Sequence, residues 1–418
     1  MRIGFFVAEY SPQISSGLGT YAVNICRALK QQGHEISVFT MNDGTLKTRE
    51  TMGGIDVNRP LLVNGSAILP HLLTMKNLLT LSTSAKYFND VLISNVLSAA
   101  KFVNELIKKD EKRFELICAH NWQSALAGIM VKRETGLPFV FHLHSIEDVR
   151  APLKTATMIR HIEETAAKVA DRIITVCYPL HDYLIMHGFD AGKLRVCWNT
   201  VDRDFYDPDK VDSERLTELR ARYGIAPGGK LLLLTGASAQ IKDVLTALEA
   251  FQALLPQHPG AKLVILGRPE FTIQLAPKLS ELQIEEHVEL RSELVSEDER
   301  RVHYAAADVI FSPALYGPCN MISLEAMAMK KPVIIGAKGI CSTCDHIIPV
   351  GDDQTGVLAD SSDPADLAVH LCSLLDHPEQ AVNMGRRGRR RVEAYQAWDE
   401  IAARTLTIYE EAIAAVGP

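Results

Sequence analysis

The stretch Phe311-Ser-Pro-Ala-Leu-Tyr-Gly-Pro-Cys-Asn-Met-Ile-Ser-Leu-Glu-Ala-Met-Ala-Met-Lys-Lys-Pro-Val333 decides how the chain is read. An apolar strand ending in Asp308-Val-Ile-Phe311 breaks at Ser312-Pro313, and the loop that follows is punctuated by Gly317-Pro318. A helix is predicted to begin near Asn320, carrying Ile322, Leu324, Ala326, Met327 and Ala328, before Pro332 opens the next strand. Such a unit belongs to an α/β sheet, and open α/β sheets bind ligands at the carboxyl ends of their strands. Glu325 falls in the first turns of the helix among apolar neighbours. It reads either as an ordinary first-turn acid favoured by the helix dipole, or as a carboxylate placed to accept two hydrogen bonds from a vicinal diol such as that of a ribose.

Outward from that stretch, the chain is too long for one ordinary core. Its 418 residues predict two domains of roughly 200 residues each. With 47% apolar and 23% charged residues it has the composition of a soluble globular protein, and a net charge of −7 gives no footing for nucleic acid. The apolar run at Met1 is too short for a signal peptide and is interrupted by Glu9. The most apolar stretch, Pro60 to Met75, is broken by Asn64, Pro70 and His71, short of a membrane span. Eight cysteines scattered through apolar segments read as reduced, buried thiols of a cytoplasmic protein. Cys341-Ser-Thr-Cys344-Asp-His346 is a single C-x-x-C, a weak metal or redox signal, and no metal site is expected.

In the first half, residues 2–8 read as a buried strand, and Gly17-Leu-Gly19-Thr20-Tyr21 opens a helix whose inner face is Val23, Ile25, Cys26 and Leu29. Ile36 to Thr40 form the next strand. Gly17-x-Gly19-x-x-Ala22 formally fits the dinucleotide fingerprint of an NAD enzyme. Its glycines, however, lie about eight residues beyond the strand, and no acid follows about 20 residues on, where a ribose ligand is expected. Residues 61–109 read as amphipathic helices. Phe114 to His120 and Phe139-Val-Phe-His142-Leu-His144 are strands, with His142 and His144 on one face because strand side chains alternate. In the second half, residues 206–229 are polar and read as the passage between domains. Lys230 to Thr235 is a strand, and Gly236-Ala-Ser-Ala-Gln-Ile-Lys242 leads into a helix whose early lysine opposes the dipole unless an anion binds there. The chain closes with the basic run Arg386 to Arg391, read as a solvated face, and an amphipathic helix through Trp398, Ile401 and Tyr409.

The stretch around Glu325 resembles the signature of the family 4 retaining glycosyltransferases, roughly Pro-Ser-x-x-Glu-Pro-x-Gly-x-x-x-x-Glu-Ala-Met-Ala-x-Gly-x-Pro-Val. The matches are Pro318, Glu325, Ala326, Met327, Ala328, Pro332 and Val333. Gly317 stands where the family has its first glutamate, and Asn320 and Lys330 where it has glycines. Gly17-Leu-Gly19-Thr20 with Gly33-His34-Glu35 is similar to the opening of glycogen-synthase-like members. His144 falls on the histidine of the family's Thr-x-His, and Trp198-Asn199-Thr200-Val201-Asp202 resembles Pro-Asn-Gly-Val-Asp. Gly236 and Lys242 match Gly-Arg-x-x-x-x-Lys-Gly, with Ala237 in the place of the arginine, and Thr355-Gly356-Val357-Leu358 resembles Thr-Gly-Leu-Leu.

The resemblance implies a GT-B fold, two doubly wound Rossmann-like domains facing an interdomain cleft. Residues 1–203 would form the acceptor side, with 400–418 crossing back onto it, and 204–399 would bind a nucleotide sugar. It implies a metal-independent enzyme that moves a glucose-like sugar from a nucleoside-diphosphate sugar to a sugar or glycoside acceptor, using no further cofactor. His144, Lys242 and Glu325 would carry the chemistry. Gly17, Gly19, Gly236, Lys242, Met321, Ile322, Glu325 and Gly339 would surround the donor. The partners expected are donor and acceptor, with no nucleic acid and at most weak contact with a membrane surface; the oligomeric state is left open. An alternative is a GT-B protein that binds nucleotide sugar but transfers it weakly, because Gly317 and Ala237 lack the family's side chains. In that event Arg268 or Lys338 would have to supply charge.

Overall fold

The computed structural model describes residues 1–14, 16–62, 85–147, 157–235, 241–267, 269–291, 295–312, 321–336, 345–360, 362–395 and 397–417. The side chains of residues 157, 241–242 and 269–272 lie outside that description. The chain divides into two compact units, Met1–Asn199 with Trp398–Pro418, and Thr200–Ala397.

The first unit runs β1 (Arg2–Phe6), α1 (Gly17–Gln31), β2 (Glu35–Phe39), β3 (Arg49–Met52), β4 (Ile55–Asn58) and α2 (Ala85–Lys101), which continues as a wider π-helical coil over Phe102–Lys109. It goes on through β5 (Leu116–His120), α3 (Trp122–Thr135), β6 (Phe139–Leu143), α4 (Thr157–Val169), β7 (Arg172–Thr175), α5 (Tyr178–Met186) and β8 (Leu194–Val196). The sheet order is β3-β4-β2-β1-β5-β6-β7-β8, and every pair but β3–β4 is parallel. Strands such as Phe139-Val-Phe-His-Leu143 are buried at every position, as expected when helices cover both faces of a parallel sheet. The antiparallel exception is a hairpin closed by Gly53 and Gly54 at φ 56° and 79°. Two successive positive φ values define the tight turn whose twist suits a hairpin, and glycine adopts them without strain.

The second unit runs α6 (Ser213–Arg222), β9 (Leu231–Thr235), α7 (Ile241–Leu254), β10 (Lys262–Leu266), α8 (Pro269–Leu282), β11 (Val288–Arg291), α9 (Glu297–Ala306), β12 (Val309–Ser312), α10 (Met321–Ala328), β13 (Val333–Gly336), β14 (Val357–Ala359), α11 (Pro364–Asp376) and α12 (Pro378–Glu393). Its sheet, β11-β10-β9-β12-β13-β14, is wholly parallel. Val244, Phe251, Leu263, Phe311, Ile334 and Leu371 are among the residues of its core. The last helix, α13 (Trp398–Val416), returns to the first unit, where Ile401, Ile408 and Tyr409 join Phe5, Ile25 and Leu116 in one buried cluster.

Residues 206–229 do not behave as a passage between units. Tyr206, Leu219, Tyr223 and Ile225 are all buried, and Arg220 donates to Asp308 at 3.1 Å and to the carbonyls of Ala306 and Gly229. Polar composition concealed a segment whose large apolar side chains mostly turn inward. Among the described residues, no helix is long and apolar enough to cross a membrane.

Candidate functional site

In each sheet the strand order reverses at one place, between β1 and β5 in the first unit and between β9 and β12 in the second. The carboxyl ends of strands at such a reversal flank the ligand crevice of open α/β sheets. β9 and β12 pair in parallel with Phe311 beside Leu234, so the two strands run out together at Thr235 and Ser312. Gly236, Ala237, Gly317, Arg268, Lys338, Gly339, Cys341 and Cys344 lie outside the described residues. Lys242 is the second residue of α7, its side chain likewise outside them. Met321 and Ile322 are the half-buried first residues of α10, whose first turn carries no acid.

Glu325, one turn further into α10, is 4% exposed. Its carboxylate is held from α9. The Tyr304 hydroxyl donates to Oε2 at 2.7 Å, and Arg300 Nη2 approaches Oε1 at 3.4 Å. That same Nη2 donates to the Tyr206 hydroxyl at 2.8 Å, and Glu297 stands 3.8 Å away. The Glu325 charge raises the Arg300 guanidinium above its ordinary value against the opposing cost of burial. Burial, and after it Glu325, pushes the Tyr304 and Tyr206 hydroxyls up, so both remain protonated donors. Burial also pushes the Glu297 carboxyl up, with Arg300 opposing. Nearby, the Ser323 hydroxyl and His346 Nε2 share a 2.6 Å hydrogen bond, and burial pushes His346 down to about 3.

The basic run has a structural use that a solvated face does not require. Arg389 Nη1 donates to the carbonyls of Ala328, Tyr206 and Arg203 at 2.9–3.1 Å, Arg387 to Gln354 and Arg391 to Asp345. Glycines let α12 approach this closely. A Cβ on Gly385 would fall 2.0 Å from the Lys330 carbonyl oxygen, where no side chain fits. Arg386 and Arg390 are exposed, as the sequence led one to expect.

The first unit places a different cluster at its carboxyl edge. His120 and His142 lie opposite each other on β5 and β6, with rings 4.2 Å apart, and His144 follows at the end of β6. His120 Nδ1 and His144 Nε2 share a 3.1 Å hydrogen bond, as do His142 Nε2 and the Tyr409 hydroxyl at 3.0 Å. Tyr21 of α1 sits with its ring 4.5 Å from that of His144. Burial drives His120 and His142 well below the ordinary histidine value, neighbouring histidines adding to it, and pushes His144 down to about 3. All three are neutral at pH 7. Cys118, His120 and His142 bring one potential ligand atom each within 4.8 Å of the others.

Gly17 is the exposed first residue of α1, which has no side-chain cap and no first-turn acid, leaving its leading amides open to an anion. Gly19 is buried, and a Cβ there would meet Ile14 at 3.0 Å and Glu9 at 3.1 Å. Packing of the preceding loop accounts for this second glycine.

Sequence reasoning overlooked Arg300, Tyr304, Tyr206 and His120. The spacing Glu297, Arg300, Tyr304 puts three polar groups on one helix face, a signal that was present. Nothing in the sequence says which face meets Glu325.

A family model described as Glycosyltransferase Family 4 matches residues 15–205, and one described as Glycosyl transferases group 1 matches residues 216–391. The chain is 25% identical over 422 residues to a D-inositol 3-phosphate glycosyltransferase of Kineococcus radiotolerans, covering 96% of this chain and 91% of that one. Among solved structures, a sucrose-phosphate synthase from Thermosynechococcus elongatus superposes with a TM-score of 0.79 at 20% identity over 99% of both chains. HepE of Anabaena in complex with UDP-glucose gives 0.74 at 16% identity, over 97% of this chain and 99% of that one. With both halves matched, two parallel sheets and this likeness in fold, the chain belongs to the family 4 type of glycosyltransferases, with the GT-B fold.

Proposed function

We propose that the chain transfers a glucose-like sugar from a nucleoside-diphosphate sugar to the hydroxyl of a sugar or glycoside, with retention of anomeric configuration and without a metal ion, in the cytoplasm. The observation that carries this is the buried Glu325 carboxylate on the helix that follows β12, at the reversal of the second sheet. A ribose diol there would place the diphosphate toward α7, where Lys242 stands at the helix start. Breaking the anomeric C–O bond leaves negative charge on the diphosphate, which preorganised cations and amides stabilise. Lys242 and the leading amides of α10 would serve that role, and His144 would lie beside the donor sugar. HepE, which holds UDP-glucose, makes a uridine donor the first to try.

A thermal-shift screen of UDP-, ADP-, GDP- and TDP-sugars, followed by transfer of radiolabelled sugar, tests the reading. Glu325→Ala should weaken nucleotide sugar and free nucleoside diphosphate alike by roughly tenfold or more, since hydrogen bonds to a charged group contribute about 1.5–3 kcal/mol. Calorimetry showing unchanged affinity for both would remove Glu325 from the site. A second reading, binding with slow transfer, rests on Gly317 and Ala237 in place of a carboxylate and a guanidinium. Loss of one preorganised donor costs about 10²–10³ in rate, so Gly317→Glu with Ala237→Arg should then raise transfer at least about tenfold. An unchanged rate would dispose of this second reading.

A further inference from the structure

We infer that Arg300 and Tyr304 are positioning residues for Glu325, fixing its carboxylate so that Oε1 is the oxygen offered to the ribose of the donor. The inference rests on the reading of Glu325 given above. Tyr304 takes one of the two lone pairs of Oε2 with a hydrogen bond of 2.7 Å, close to the ideal for a hydroxyl on a carboxylate, and leaves Oε1 the less engaged oxygen. Arg300 treats Oε1 differently. Its Nη2 spends its good hydrogen bond on Tyr206 at 2.8 Å and stays 3.4 Å from Oε1, too far to use up that oxygen. Arg300 thus supplies a compensating charge without filling the acceptor. Tyr206 keeps it at that distance, and Arg389 fixes Tyr206 in turn by donating to its carbonyl. A carboxylate buried this deeply and lacking such partners would rotate or take up a proton, and a protonated acid no longer offers the same acceptors. Residues 300 and 304 stand one helical turn apart on α9, so a single face of one helix delivers both contacts.

The test compares a ribonucleotide with its 2′-deoxy counterpart, using UDP with dUDP or ADP with dADP, whichever base the shift screen selects. Calorimetry on the wild type should show the ribonucleotide binding about tenfold tighter, the effect of one hydrogen bond to a charged acceptor. Tyr304→Phe and Arg300→Met should collapse that ratio toward one while affinity for the deoxynucleotide changes little, and Arg300→Lys, which keeps the charge, should restore part of it. Thermal unfolding checks that each variant is folded. If both nucleotides weaken equally and the ratio survives in Tyr304→Phe and Arg300→Lys, the two residues are merely structural and the inference falls. If the wild type itself shows no preference for ribose, Glu325 does not read the diol, and the underlying assignment of the site falls with it.

Discussion

Both units bury polar side chains at the carboxyl edge of a parallel sheet, and the two clusters meet the cost of burial in opposite ways. In the first unit His120, His142 and His144 have aromatic neighbours and one another, so burial drives them to the neutral form. In the second unit Glu325 has the Arg300 guanidinium beside it, and the two share a cage of tyrosine hydroxyls. His120 and His142 are rooted in strands, with His144 just past the end of β6. Glu325 is rooted in a helix that is itself held from behind by α12. A neutral cluster can be packed like any core, whereas a charged one depends on every partner staying in place.

The largest effect should therefore follow from removing one charge of the second cluster. Glu325→Ala leaves Arg300 buried with only the more distant Glu297, 3.8 Å away, as counter-charge, and breaking such a pair from one side costs about 3–5 kcal/mol. Arg300 is not fully enclosed, its side chain being 25% exposed, so the lower end is expected. Urea unfolding measures it. Glu325→Leu combined with Arg300→Met should recover most of the loss, because replacing both partners removes the orphaned charge. A single variant as stable as the wild type would mean that solvent already compensates Arg300.

Acid should find the neutral histidines next. Their folded values are lowered below the ordinary 6.5, so their contribution is fully present above about pH 6.5 and is lost as the pH falls through the interval toward the folded value. For His346, pushed down to about 3, each unit of pH within that window removes about 1.4 kcal/mol, or about 2 kcal/mol between pH 6.5 and 5. His120 and His142 move in the same direction in the first unit. Urea midpoints at pH 7 and pH 5 should separate steeply in the wild type and less so in His142→Gln and His346→Gln. Equal slopes in all three proteins would show that these rings are protonated without cost. Tyr409→Phe should cost a comparable amount, about 1–3 kcal/mol at pH 7, by leaving His142 Nε2 without its 3.0 Å partner.

What could be read in advance divides along the same line. Strands such as Leu231-Leu-Leu-Leu-Thr235 declare themselves by apolar runs, and Glu325 by its motif. The β3–β4 hairpin at Gly53-Gly54 went unread, because charged residues at Arg49, Glu50 and Asp56 hid the alternation of its two short strands. The partners of Glu325 were not legible. Arg300 and Tyr304 lie in a helix of ordinary charged composition, and only tertiary packing brings that helix face onto α10. The carbonyl-binding arginines of α12 were hidden similarly, since a run of like charges looks the same whether it faces water or backbone.

The smallest predicted effect probes how tightly the seat of Glu325 is held. Two glycines of α12 differ in what they meet, one the backbone just past α10 and one α10 itself. At Gly385 an added methyl would collide with the Lys330 carbonyl, which is backbone and cannot step aside. At Gly388 it would meet Met327 Cγ at 3.0 Å and Cβ at 3.3 Å. Met327 is an unbranched thioether side chain that gives by small rotations. Against that squeeze stands the gain of alanine over glycine inside a helix, about 1 kcal/mol. Gly388→Ala should then shift stability by no more than about 0.5 kcal/mol in either direction, the two terms nearly cancelling. Nucleotide affinity should stay within about twofold, because Glu325 lies on α10 two residues before Met327 and is fixed from α9 on its own account. The histidine cluster, which belongs to the other unit and is packed by α1 and α13, serves as the control: its pH-dependent stability should be untouched. If Gly388→Ala left stability alone yet weakened the nucleotide severalfold, α12 would be setting the carboxylate's position, and α9 would no longer suffice as its sole support.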